Sequence, residues 1–128
     1  MHNKAKPAFI YYTPAIGWGI LICYFSLMSS AELPNMLVSV RDFILHFTIY
    51  AALAWLAYFG QNKFTRQKLP FKNLLIIIAA CLLLGLCLEI LQELFAKGRH
   101  FEVIDILFNS MGTLLILVLH FKITTGKL

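Results

Sequence analysis

Three short stretches of this chain carry nearly all of its chemically useful side chains. In "RDFILHFTIY", Asp42, His46 and Tyr50 stand four residues apart, which on a helix makes one stripe. A carboxylate next to an imidazole is how a general base is oriented, and with a second carboxylate the same groups offer N and O ligands to a cation. In "LLGLCLEILQELF", Glu89, Gln92 and Glu93 interrupt an otherwise apolar run. In "GRHFEVIDILFNSMG", Asp105, Asn109 and Gly112 fall at i, i+4 and i+7, again one helix face. Arg99 precedes them, and its planar fork can grip a phosphate or a carboxylate with two hydrogen bonds.

Each of these residues also has a plainer reading. Asp42 and Asp105 sit where a helix N-terminus would stabilise a carboxylate through its unpaired N–H groups and its dipole. A single histidine such as His46 is often a packing residue. Asn109 could supply an interhelical hydrogen bond, worth about 0.6–2 kcal/mol in a membrane, and Gly112 allows close helix approach. Glu93 is near enough to the end of its run to reach water. Glu89 is the hardest to explain away. It lies six residues before Phe95, about 9 Å along a helix. A charge at mid-membrane costs roughly 2.5–3.5 kcal/mol on insertion scales, so such a group faces the bundle interior and finds a partner, His46 or Arg99 being the expected ones. A nucleophile is missing from the pattern. Cys23, Cys81 and Cys87 belong to apolar runs without a CxxC spacing, and Ser110 is off the stripe. His100 falls in a loop, and His2 and His120 fall at the opposite end of the spans.

The elements that hold these groups follow from composition. Of the 128 residues, 60% are hydrophobic and only 13% are charged, against about 25% charged in soluble domains. A chain this short cannot bury that much apolar surface against itself, so part of its solvent is lipid. A bilayer core needs about 20 apolar residues per helix, and four runs qualify, at roughly residues 8–28, 43–59, 74–95 and 103–121. Thr13-Pro14 reads as a cap and first-turn proline, while Pro34 and Pro70 fall between spans. The expected fold is all-α, a single membrane domain over 1–128 built as a four-transmembrane-helix bundle.

The loops are charged asymmetrically. Lys4, Lys6, Lys63, Arg66, Lys68, Lys72, Lys122 and Lys127, eight basic residues, fall at one end of the spans with no acid among them. The other end holds Arg41, Lys97 and Arg99 with all six acids, Glu32, Asp42, Glu89, Glu93, Glu102 and Asp105. The positive-inside rule then places both termini in the cytoplasm and the acid-rich end outside. The basic charge meets the anionic inner leaflet, which argues against a nucleic-acid partner. The eight polar residues Asp42, His46, Tyr50, Glu89, Gln92, Arg99, Asp105 and Asn109 therefore converge on the outer side. The five acids Asp42, Glu89, Glu93, Glu102 and Asp105 outnumber the three cations there, which predicts an outward-open cavity with carboxylates left over.

The motifs Asp42-x3-His46-Phe47-x2-Tyr50, Glu89-x2-Gln92 and Gly98-Arg99-x5-Asp105-x3-Asn109-x2-Gly112 resemble VanZ-like membrane proteins, over roughly residues 14–120. "SLMSSAELP" is similar to that family's proline-containing stretch before the second span. Phe43 stands where the family usually has lysine, and Ile116 where a second glycine often follows. The family takes its name from an accessory protein that lowers susceptibility to teicoplanin. The resemblance implies a multi-pass protein of the bacterial cytoplasmic membrane with an envelope-related role. Together with the polar cluster, it leads us to expect a protein that binds a lipid head group, a lipid-linked wall intermediate or a glycopeptide. No cofactor and no metal are expected. The alternatives are an intramembrane enzyme acting on a lipid-linked phosphate, with Asp42–His46 as base and Glu89 as acid, and a small ion- or proton-coupled transporter.

The charge asymmetry has a direct check. In sealed cells an impermeant amine reagent should label Lys97 and leave Lys68 and Lys127 untouched; labelling of Lys68 would reverse the orientation.

Overall fold

The computed structural model describes residues 6–39 and 42–127. Arg41, one of the three cations expected at the acid-rich end, lies outside the described residues, as does Lys4. Among the described residues five helices follow one another: α1 Ala8–Ser26, α2 Asn35–Ser39, α3 Asp42–Thr65, α4 Phe71–Phe95 and α5 Val103–Thr124. Four of them, α1, α3, α4 and α5, are long and apolar enough to cross a membrane. The protein is an all-helical four-span bundle, with no strand among the described residues.

Helix ends depart from the hydropathy boundaries for local reasons. α3 continues to Thr65 through the polar "GQNKFT" that hydropathy treats as loop. Lys63 in its last turn suits the negative end of the helix dipole, and its ammonium lies 4.5 Å above the Phe59 ring. The helix stops where Arg66 turns left-handed at φ 53°. α4 begins at Phe71, directly after Pro70, whose missing N–H is no loss there. Pro14 is inside α1, not in its first turn, because the helix already starts at Ala8 after Pro7. The stretch after Pro34 forms the one-turn helix α2, with Leu37 N–H on the Pro34 carbonyl at 2.9 Å. At 24 and 25 residues, α3 and α4 are about 36 Å long. Their ends therefore reach past a hydrocarbon core of about 30 Å.

The outside of the bundle is apolar. Ile16, Ile20, Ile76, Leu83, Leu107 and Val118 are all exposed, which is a surface for acyl chains and not for water. The interior is organised on α3. One face of α3 presents His46, Tyr50, Leu53, Ala54 and Tyr58 inward. α5 meets it with Asp105, Asn109, Gly112, Thr113, Ile116 and His120. Gly112 makes this approach possible, since a β-carbon there would run into the carbonyl oxygen of Phe47 and lie 3.1 Å from the backbone nitrogen of Ala51. α1 lies on the other flank. A β-carbon on Gly60 would come within 2.5 Å of the Tyr11 carbonyl oxygen, and the Trp18 indole N–H donates to the Ile49 carbonyl at 2.9 Å. α4 closes the third side through Gly85, where a β-carbon would stand 3.3 Å from the Tyr50 ring. Between α1 and α4, floored by Leu53 and Ala57 of α3, lies an apolar groove of about 700 Å³ lined by Tyr12, Ile16, Gly19, Ile77, Ala80 and Leu84.

At the acid-rich end the connections lock together. Gly98 is left-handed at φ 75°, the conformation glycine adopts without strain, and it packs against the Ser30 hydroxyl. Ser30 N–H donates to the Lys97 carbonyl at 3.1 Å, so the α4–α5 turn sits on the loop after α1.

Gly112→Ala should lower unfolding stability in detergent by about 1–3 kcal/mol, the usual range for overpacking. Gly17→Ala, where a β-carbon meets nothing within 4 Å, should be neutral or stabilise by up to about 1 kcal/mol. Equal effects of the two substitutions would contradict the close α3–α5 seam.

Candidate functional site

The close α3–α5 contact puts His46 between two residues one turn apart on α5. Its Nδ1–H donates to Asn109 Oδ1 at 2.8 Å, and its Nε2 lies 3.3 Å from Asp105 Oδ2. All three side chains are buried. Asn109 is itself braced from α4, since its side-chain nitrogen lies 3.2 Å from where a Gly85 β-carbon would be. Thr113 donates its hydroxyl to the Asn109 backbone carbonyl at 2.9 Å.

α4 adds Glu89 from the third side. Glu89 is 2% exposed, and one carboxylate oxygen accepts from the Glu102 N–H at 3.4 Å. His46, Glu89 and Asp105 each offer an atom within 4.8 Å of the other two. The expected contact with His46 or Arg99 is not made: among the described residues Glu89 forms no ion pair, its hydrogen bond comes from backbone, and His46 is its neighbour within 4.8 Å. Four residues on, Glu93 Oε2 accepts from the Phe101 N–H at 2.6 Å and lies 3.8 Å from the exposed His100 ring. The last two turns of α4 therefore use two acids to hold the chain segment that leads into α5. Glu93 is exposed, as the sequence reading allowed, and it holds a backbone donor as well. That reading compared acids with cations and overlooked the backbone N–H groups of the 96–102 connection, which are donors too.

The eight residues of the expected cluster do not behave alike. His46, Glu89, Asp105 and Asn109 converge. Tyr50 and Gln92 are buried at 2% exposure. Tyr50 packs under the group against Gly85, and Gln92 lies on the inward face of α4. Arg99 is half-buried at the rim, near enough for its charge to act on Glu89 and Asp105, and among the described residues its side chain makes no ion pair. Asp42 is exposed at the first position of α3, so the i, i+4, i+8 stripe is broken at its outer end. Gly112 serves the seam. The expected outward-open cavity is not what these side chains line: they are packed against one another, and the large groove lies elsewhere, between α1 and α4. One polar atom within the packed group has no partner, the buried Asp105 Oδ1.

A second buried pair lies at the basic end, where the Tyr58 hydroxyl and His120 Nδ1 are 3.1 Å apart. Tyr58 continues the spacing of His46 and Tyr50 along α3, and that periodicity was a usable sign of it.

The fold and the buried group together define a small multi-pass helical membrane protein with ionisable side chains enclosed near one end. The chain belongs to the VanZ/LLP1 family, whose model matches residues 9–124. No curated protein and no solved structure gives a significant match.

Placement separates Asp42 from the buried group experimentally. Asp42→Asn should change stability by less than about 0.5 kcal/mol, as surface substitutions do. His46→Ala, which leaves the buried Asn109 oxygen without its donor, should cost about 1–3 kcal/mol. Thermal or denaturant unfolding in detergent reads both, and a large Asp42 effect would restore it to the cluster.

Proposed function

We propose that the protein binds the phosphate-bearing head group of a membrane lipid or lipid-linked envelope component at the acid-rich end of the bundle, facing the outside of the bacterial cytoplasmic membrane. The observation that carries this reading is Arg99. A guanidinium half-buried at the rim of a membrane bundle, with no ion pair among the described residues, offers a bidentate grip to a phosphate arriving along the leaflet. Lys97 and His100 flank it on the same exposed turn. The turn is held in place by Ser30 and by Glu93, so the donors are positioned before the ligand arrives. The apolar exterior takes the acyl chains, and the head group rests on the turn above the buried acids.

Binding is favoured over catalysis here because, among the described residues, no serine or cysteine makes a hydrogen bond to His46, Glu89 or Asp105, and Ser110 donates to the Ile106 carbonyl of its own helix. Cys81 is buried in the α4 core and Cys87 faces lipid. The family connection makes a change in teicoplanin susceptibility the cellular consequence to look for, through occupation of a lipid-linked wall component.

Native mass spectrometry of the purified protein with anionic and zwitterionic phospholipids and with an undecaprenyl-type phosphate tests the reading. Arg99→Ala should weaken phosphate-lipid binding about tenfold or more, the worth of a charge-assisted bidentate contact, with little change in thermal midpoint. Arg99→Lys should recover only part of it. Unchanged lipid binding in Arg99→Ala would contradict the proposal.

A further inference from the structure

The packed group contains an electrostatic conflict. Asn109 Oδ1 accepts from the Nδ1–H of His46 at 2.8 Å, which leaves Nε2 as the nitrogen with a lone pair. That lone pair faces Asp105 Oδ2 at 3.3 Å, and Glu89 brings a second carboxylate to within 4.8 Å of both. A lone pair and two carboxylate oxygens repel one another unless a proton or a cation lies among them. Arg99 does not supply it by contact, because among the described residues it makes no ion pair. Asp105 is 7% exposed, and its Oδ1 is buried without a hydrogen-bond partner, an acceptor held in the same group with nothing to accept from.

We propose that His46 Nε2, Glu89 and Asp105 form a binding site for one divalent transition-metal cation of the Zn²⁺, Mn²⁺ or Fe²⁺ kind. Two carboxylates and a neutral imidazole carry two negative charges, which one such ion neutralises. The 3.3 Å between Nε2 and Asp105 Oδ2 is about the separation of adjacent ligands around a tetrahedral ion with bonds of ~2.1 Å. Glu89 completes the set by a small rotation of its flexible side chain, and it gives up only a long hydrogen bond to Glu102 N–H at 3.4 Å. An imidazole nitrogen favours these ions over Mg²⁺ and Ca²⁺, and the lack of thiolate in the group disfavours Cu⁺. Asn109 is a positioning residue. It fixes the tautomer and the ring plane from outside the coordination sphere, as hydrogen-bond partners of metal-bound histidines do. This inference does not depend on head-group binding, since it uses buried side chains and not the Arg99 rim.

The test uses the full chain without a polyhistidine tag, in detergent free of chelators, titrated with Zn²⁺ and with Co²⁺ as its visible-absorbing substitute. One equivalent per chain should bind, with cobalt d–d absorption and a thermal midpoint that rises on addition of ~100 µM metal and falls back with chelator. Glu89→Gln and Asp105→Asn, which keep side-chain size, should each weaken binding at least tenfold, and Asn109→Ala about 10–100-fold. The midpoint of each variant without metal establishes that it is folded. Failure of the folded protein to take up either ion at ~100 µM overturns the proposal, as does uptake that Glu89→Gln and Asp105→Asn leave unchanged. A His46 ring whose nitrogen NMR signals are those of a doubly protonated imidazolium, unmoved by Zn²⁺, also overturns it and leaves a proton as the charge in the group.

Discussion

The structure depends on how closely α5 can lie on α3. At Gly112 the two backbones touch without a side chain between them. That contact fixes the distance at which everything else on the seam must meet. One turn towards the acid-rich end, it allows the short side chain of Asn109 to reach the His46 ring; two turns on, it brings Asp105 to the other ring nitrogen. Towards the basic end the same proximity pairs Tyr58 with His120. In lipid, apolar surfaces gain nothing by finding each other, so close packing and interhelical hydrogen bonds must hold helices together. This seam supplies both. α1 and α4 are then added through their own small residues, Gly85 on α4 against Tyr50 and Asn109, and Gly60 on α3 receiving the α1 backbone.

Burying carboxylates inside a membrane bundle is costly unless donors reach them. Here the donors are largely backbone. Glu89 and Glu93 take the N–H groups of Glu102 and Phe101, so the two acids close the α4–α5 connection as well as finding partners. The arrangement leaves Arg99 uncommitted at the rim and leaves Asp105 with one unpartnered oxygen. These two departures from full pairing point in complementary directions. A cation bound among His46, Glu89 and Asp105 would neutralise the buried acids, and Arg99 would remain available to an anionic head group above them.

Much of the fold was legible in the sequence because lipid imposes simple requirements. Four apolar runs of the right length became four spans, and the polar residues on three of them do gather at one end. Boundaries were less legible. Hydropathy ends a helix where polarity begins, yet α3 runs on to Thr65, since helices continue past the hydrocarbon edge with Lys63 well placed near the C-terminus. Within the site, spacing identified His46, Asp105 and Asn109, because residues four apart must share a face. For Asp42 the sequence offered two readings, the His46 stripe and a helix N-terminus, and it is the second that matches its exposed place at the start of α3. Spacing could not count the donors of the 96–102 backbone, which is why an open cavity was expected where side chains close on one another. Gly85 gave no signal at all, as the meaning of a glycine in an apolar helix depends on what approaches it.

His46 links α3 to α5 through Asn109 across a close backbone contact. A double-mutant cycle tests it most directly, with His46→Phe, Asn109→Leu and the pair unfolded in the same detergent. The expected coupling is about 1 kcal/mol or more, above the ~0.6 kcal/mol average for interhelical hydrogen bonds in membranes. Effects that add to within about 0.3 kcal/mol would mean that the two side chains act independently, and the seam would not be organised around them.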